Sequence, residues 1–390
     1  MKNSTTLFNT FLTLTTLFIF FSCQKKGCTD PNALNYDINA QKDDNSCIYE
    51  QFDKQALLLN LNDNYIIPAL SSYQTAVMNL DEKVEFFTQT PNDSSLNTLR
   101  NYWSDALLKW QDIAFLNFGP SEYILLTNQT NTFPTDTMLI DSSILNGSWN
   151  FSFTNSFDAK GFQAMDYLLN KRGLTDSQIC QNFISSANAK QYLKDISTDL
   201  QTNIDYVVSE WTSYSSDFKS DYESNSDGSA VSNVINGLCL HYEFYVRRGK
   251  VGLPLGKFNG FSQQEMPELV ECYHYGQSLP FAKRSVASIQ NFINGNSYLD
   301  NSEGIGFDDY IDFVNAEYNG EDLSSTINNK FQLISDHLDL LNDPFSEEII
   351  NNKQNVENAY EHMQQLVPLV KVDMTSALGV LITYQDNDGD

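Results

Sequence analysis

Residues 99–113 read LRNYWSDALLKWQDI. Leu99, Trp103, Ala106, Trp110 and Ile113 recur at spacings of three and four, which puts them on one apolar stripe of an α-helix. Asp93 or Ser94 is the expected cap at its start. Upstream, 54–87 carries Leu58, Leu61, Ile66, Leu70, Tyr73, Val77 and Leu80 at helical spacing, with Pro68 expected to kink or break it. Downstream, 178–211, 229–248, 263–293, 322–341 and 346–366 are further helix candidates, separated by stretches rich in Gly, Pro, Asn and Asp. Clean period-two strand runs are scarce. The expectation is therefore an all-α body of helices packed in one or two bundles. The Ser- and Asp-rich stretch 213–232 is the expected boundary between two helical-bundle halves, 51–215 and 230–390, with no sequence repeat between them.

The formal net charge is −27. That argues against a nucleic-acid partner, since phosphate binding requires a basic patch. Such a surface favours solubility and attracts cations without specificity, so acid excess alone does not indicate a metal site. With 26 Phe and 20 Tyr, the chain is too aromatic for disorder and long enough for one large domain or two smaller ones.

The N-terminus reads as an export signal. Lys2 precedes an apolar and hydroxyl run over 7–21, too short for the roughly 20 residues of a membrane-spanning helix. Ser22-Cys23 then resembles a bacterial lipobox. The resemblance implies a signal peptide over 1–22, cleavage before Cys23 and lipidation of Cys23. The expected partner is thus a membrane, reached through a lipid anchor. The expected location is the cell envelope, at the outer membrane and facing the periplasm; Gln24-Lys25-Lys26 gives no reason to propose surface display. The segment 23–50 contains GCTDPNALNYDINAQKDDNSCIY (27–49), rich in turn formers and without helical period. A Cys28–Cys47 bridge would staple it, worth about 3 kcal/mol on the entropic view. It is similar to a short cysteine-bounded module of secreted Bacteroidetes proteins. Asp30, Asp37, Asp43 and Asp44 are either solvated turn acids of a stapled spacer or oxygen ligands for Ca²⁺. Cys180, Cys239 and Cys272 leave at least one cysteine without a partner.

Six blocks, taken in order, resemble the imelysin-like family: WSDALLKWQDIAFLNFGPSEY (103–123), FPTDTMLID (133–141), KGFQAMDYLL (160–169), RRGKVGLPLGK (247–257), GIGFDDYID (304–312) and VPLVKVDMTSALGVLITYQDNDGD (367–390). They run across a domain spanning 51–390. The resemblance implies two helical bundles with a pocket between them, export, and a role in iron uptake or in metal-dependent proteolysis. The family signature is Gly-x-His-x-x-Glu, whose two ligands lie three apart on one helix face. Here the aligned residues are Gly161, Gln163 and Asp166. Gln163 offers an amide oxygen in place of imidazole, a poor ligand for iron, zinc or copper, and Asp166 has a shorter reach than Glu. The pair is either a metal site, a polar pocket element or a structural hydrogen-bonding pair. Glu122, in the Gly119-Pro120-Ser121-Glu122 block, either faces the same pocket or complements a helix N-terminus.

Other chemistry is sparse. His241, His274, His337 and His362 are dispersed, and no His-Glu-x-x-His zinc motif, Gly-x-Ser-x-Gly elbow or phosphate loop occurs. Glu271 and His274 are expected on one solvated helix face. Asp386, Asp388 and Asp390 fail the calcium-loop register. The sequence reading is an envelope lipoprotein acting as a binding component in iron or metal-nutrient uptake, together with an envelope uptake partner. Its cofactor is iron, another divalent metal, or none. The alternatives are a metal-dependent peptidase and a binder of a non-metal ligand or partner protein.

Overall fold

The computed structural model describes residues 24–384. Residues 1–23, with the expected signal segment and Cys23, and residues 385–390 lie outside the described residues. Two compact units divide between Phe52 and Asp53.

The first unit is the cysteine-bounded segment. Cys28 and Cys47 are joined by a disulfide. Short strands β1 (Lys26–Gly27) and β2 (Lys42–Asp43) pair in parallel. Asp30, Asp37, Asp43 and Asp44 each accept the backbone N–H two residues on. These are Asx turns, in which the carboxylate oxygen replaces a backbone acceptor.

The second unit is helical; with 65% helix and, among the described residues, two tiny sheets, one in each unit, the fold is all-α. It begins with α1 (Lys54–Asn60), a π-helical stretch Leu61–Ile66 and α2 (Ile67–Gln89). Pro68 does not break this rod, because it falls in the first turn of α2, where the wider π turn has already displaced the regular ladder. The π turn also brings Asn62 inside, where its side-chain oxygen accepts the Trp211 indole N–H at 3.0 Å.

The helix containing Trp103 and Trp110 is α3 (Asp93–Gln111). Its cap is Asn92, one residue before the expected position. The Asn92 side chain accepts the N–H groups of Ser94 and Ser95, and the Ser95 hydroxyl accepts the Asn92 N–H, closing a capping box. Leu99, Trp103, Ala106 and Trp110 are all buried. Ile113 is buried too, in the turn beyond the helix end.

The chain continues through α4 (Pro120–Tyr123), α5 (Leu126–Thr130), α6 (Thr137–Asn146), α7 (Gly161–Asn170), α8 (Asp176–Ser185) and α9 (Ala187–Ser220). The break between α8 and α9 comes at Ser186, whose hydroxyl caps α9. Helix α9 runs well into the stretch expected as a boundary, and α10 (Ala230–Leu240) follows, passing into a π-helical stretch His241–Gly252. Next come α11 (Leu279–Ile293), α12 (Phe307–Phe313), α13 (Leu323–Asp339), α14 (Phe345–Asn351) and α15 (Lys353–Pro368). A two-residue hairpin, β3 (Glu317–Tyr318) with β4 (Glu321–Asp322), leads into α13. Helix α2 packs along α3 and α9, α13 packs against α11 and α15, and α3 touches α11. Among the described residues no helix is long and apolar enough to cross a membrane.

The helix expected over 263–293 forms only in its second half. Residues 263–278 are turns and loop with one short 3₁₀ piece, Pro267–Leu269, and regular helix starts only at Leu279. Pro267 removes a donor, and Cys272 and Gly276 have positive φ. The backbone donors released from a helical ladder are taken up by side chains from elsewhere in the body, and these build the site.

Candidate functional site

Gly161 opens α7 at φ +71°, and a Cβ there would lie 2.2 Å from the Thr130 carbonyl oxygen. Only glycine permits this approach of two backbones. The preceding Lys160 is wholly buried, its ammonium donating to Gln129, the Phe151 carbonyl and Asp199. Helix α7 is thereby held inside the body with nearly every side chain covered.

From this helix Gln163 and Asp166 reach the turn 272–275. The Gln163 side-chain oxygen accepts the Cys272 N–H at 2.9 Å, and its amide nitrogen donates to the Asn131 oxygen at 2.7 Å. The Asp166 carboxylate accepts the N–H groups of His274 and Tyr275 at 2.9 and 2.8 Å, and the Asn170 amide at 3.1 Å. The two signature-aligned residues thus act as acceptors for three backbone donors that a helix would otherwise have satisfied. Burial pushes the Asp166 carboxyl up to about 7 in spite of these hydrogen bonds. Burial, with the charges of Arg172 and Lys171, pushes the His274 imidazole down to about 4.

Behind this layer lies a buried polar chain. Asn131 donates to Glu271 at 2.7 Å, Gln111 donates to the same oxygen at 3.3 Å, and the Lys250 ammonium lies 2.5 Å from the other carboxylate oxygen. Glu271 is 1% exposed, so the solvated helix face expected for Glu271 and His274 is not present: the helix does not form, and Glu271 is an interior ion-pair partner. Neither imidazole nitrogen of His241 has a hydrogen-bond partner among the described residues, and burial together with the Lys250 charge pushes it down to about 3.

A cavity of about 290 Å³ opens beside the clamp. Phe133, Pro134, Thr135, Tyr273 and His274 wall it, and Gln163 and Asp166 reach it from α7. Gln163 and Asp166 therefore meet in one cleft. Glu122 does not line it: this residue is exposed on α4, which packs on α9. Asn131, Lys250 and Cys272 were not singled out as site residues from sequence. Their roles depend on partners far away in the chain, 140 residues in the case of Asn131 and Glu271, and only the presence of Lys250 in the 247–257 block pointed to it.

The fold and the cleft define a class, all-α proteins with an aromatic-walled pocket to which one buried helix contributes polar side chains. The imelysin family model matches residues 66–370, and the chain belongs to the imelysin family. Two solved structures share the fold. One, described as an iron-regulated protein A precursor from Parabacteroides distasonis, is 16% identical with a TM-score of 0.69, the match covering 84% of this chain and 96% of that one. The other, an imelysin-like protein from Psychrobacter arcticum, is 15% identical with a TM-score of 0.64, covering 85% and 97%. No curated protein matches the sequence.

Proposed function

We propose that this protein is a lipid-anchored binding component of the cell envelope, used in acquiring iron or another metal nutrient. The observation that carries the proposal is the cleft itself: an aromatic and apolar wall from Phe133, Pro134 and Tyr273 facing polar groups from Gln163, Asp166 and His274, inside an imelysin-family body. Pockets that mix a predominantly apolar lining with a few placed polar groups are suited to small ligands. The lipobox-like Ser22-Cys23 supports delivery to the envelope, and the likeness to the iron-regulated protein A precursor of Parabacteroides supports a link to iron. The peptidase reading needs a firmly held metal and an activated water. Among the described residues no group of three or more His, Cys, Asp or Glu is placed to hold one.

The test is equilibrium dialysis of the full-length protein against ferric citrate, alongside the variant Thr137→Trp, which fills the cleft from the start of α6. The expected result is retention of the chelate by the parent and loss in the variant. Metal-dependent cleavage of an unstructured peptide would overturn the reading, as would equal retention, or equal failure, by both proteins. In cells, labelled fatty acid should be incorporated into the parent and not into Cys23→Ala; incorporation into both would remove the anchor.

A further inference from the structure

The imelysin signature calls for a metal held by His and Glu. In this chain the donors at that position do not fit one. Both ends of the Gln163 amide are engaged by Asn131 and Cys272, and both oxygens of Asp166 by backbone N–H groups. The nearby Cys272 sulfur, the softest donor, is buried and accepts a hydrogen bond from the Gln163 amide at 3.6 Å.

What the interior does contain is a fixed cation. The Lys250 side chain is 4% exposed and that of Glu271 1%. The ammonium also lies 6.0 Å from the centroid of the Phe133 ring, which walls the cleft. From Lys250 the chain of contacts runs through Glu271 and Asn131 to Gln163.

We infer that the signature position of this chain is a metal-free lock, in which the Lys250 ammonium is the resident cation and keeps metal ions out. An interior carboxylate that stays ionised is stabilised by a compensating positive charge. Where Glu271 would be the strongest oxygen donor near Gln163, Lys250 already neutralises it. A dication entering would have to displace a tethered ammonium that is almost closed off from water, or share the interior with it at close range, where like charges repel strongly. Gln163 then serves as a neutral relay that fixes Asn131 and the 272–275 turn, a task imidazole on a metal could not perform with the same donor and acceptor pattern.

This concerns the wall of the same cleft but does not depend on the cargo proposed above. Metal ions alone are the probe here, whereas a chelate is the probe there, so the two can fail separately. The full-length protein is incubated with Fe²⁺, Zn²⁺ or Cu²⁺, desalted and analysed for metal. The expected result is no stoichiometric metal in the parent. One equivalent retained by the parent and lost in Asp166→Ala would overturn the inference. In Lys250→Met, Glu271 is left needing a cation, and the melting temperature should rise on adding Zn²⁺ or Mn²⁺ while that of the parent does not. A folded Lys250→Met with no response to metal would also overturn it. If Lys250→Met does not fold, the double variant Gln163→His/Asp166→Glu decides: with Lys250 in place it should still retain no stoichiometric metal. Stoichiometric uptake would place the block in the two replaced residues and not in Lys250.

Discussion

The Lys250 ammonium lies 2.5 Å from the Glu271 carboxylate, and both side chains are almost completely buried. Such a pair is costly to assemble and more costly to halve. Removing one partner leaves an uncompensated interior charge, typically a loss of about 3–5 kcal/mol, whereas replacing both by neutral groups of similar shape is often close to neutral. Lys250→Met and Glu271→Gln should therefore each lower stability by about that amount in urea denaturation. The double variant Lys250→Met/Glu271→Gln should recover most of the loss. The neutral amide introduced in place of the carboxylate needs no ammonium beside it, and its oxygen can still accept from Asn131. Additive losses in the double would show that the pair is not energetically coupled.

Asp166 has its own signature in pH. Its carboxyl is held up at about 7, against 3.8 in the unfolded chain. Between these values the folded state binds the proton and the unfolded state has lost it. The group's contribution to stability is thus fully present below about 4 and is lost as pH rises through about 7, with a slope of at most about 1.4 kcal/mol per pH unit. His274 runs the other way, because its folded value is depressed to about 4 and stability is lost as pH falls below the ordinary histidine range. The two partly cancel in the parent. Comparing denaturation of the parent with Asp166→Asn from pH 4 to 7 isolates the acid: the stability difference should shift in favour of the variant as pH rises. A pH-independent difference would mean that Asp166 does not titrate in this window.

The cysteine-bounded unit makes a local prediction. Cys28 and Cys47 close a loop that has little buried apolar surface, and the bridge is worth about 3 kcal/mol on the entropic view. In Cys47→Ser the Asx turns of Asp30, Asp37, Asp43 and Asp44 should no longer hold. Limited proteolysis read by mass spectrometry should then cut within 28–47, where the oxidised parent resists. Equal resistance would show that the turns stand without the staple.

The all-α class was legible because a stripe such as Leu99, Trp103, Ala106 and Trp110 is a local pattern, and burial of one helix face follows from it. Capping was legible to within one residue, since Asn92, Asp93 and Ser94 are all good caps and only the fold selects among them. The pairing of Gln163 with Asp166 in one cleft was legible from helical spacing and from the resemblance. The failure at 263–278 has a different cause. Nothing within that stretch reveals that its backbone donors will be accepted by Gln163 and Asp166, more than a hundred residues earlier, so Glu271 and His274 read as a helix face. The interior position of Lys250 was hidden for the same reason: a lysine is rarely buried unless paired, and its partner is known only once the turn is placed.

The start of α7 gives the sharpest structural test. Gly161 combines a left-handed backbone with a Cβ position 2.2 Å from the Thr130 oxygen and 2.9 Å from that of Gln129. A non-glycine residue in this region of backbone space costs about 1–3 kcal/mol by itself. The clash adds to that, because the obstructing atoms are backbone and cannot rotate away. Relief would require α7 to move off the α5 end, which would carry Gln163 and Asp166 away from the 272–275 turn. Gly161→Ala should therefore lower stability by more than the usual cost of a surface substitution and, in the protein that still folds, increase hydrogen exchange at the amides of Cys272, His274 and Tyr275. Asn170→Ala, which removes one donor to Asp166 at the far end of the same helix, should leave those amides much better protected. If Gly161→Ala destabilises the protein without exposing the three amides, the placement of α7 and the clamp on the turn are separate features; if all three exchange faster together, the glycine is what allows the clamp to close.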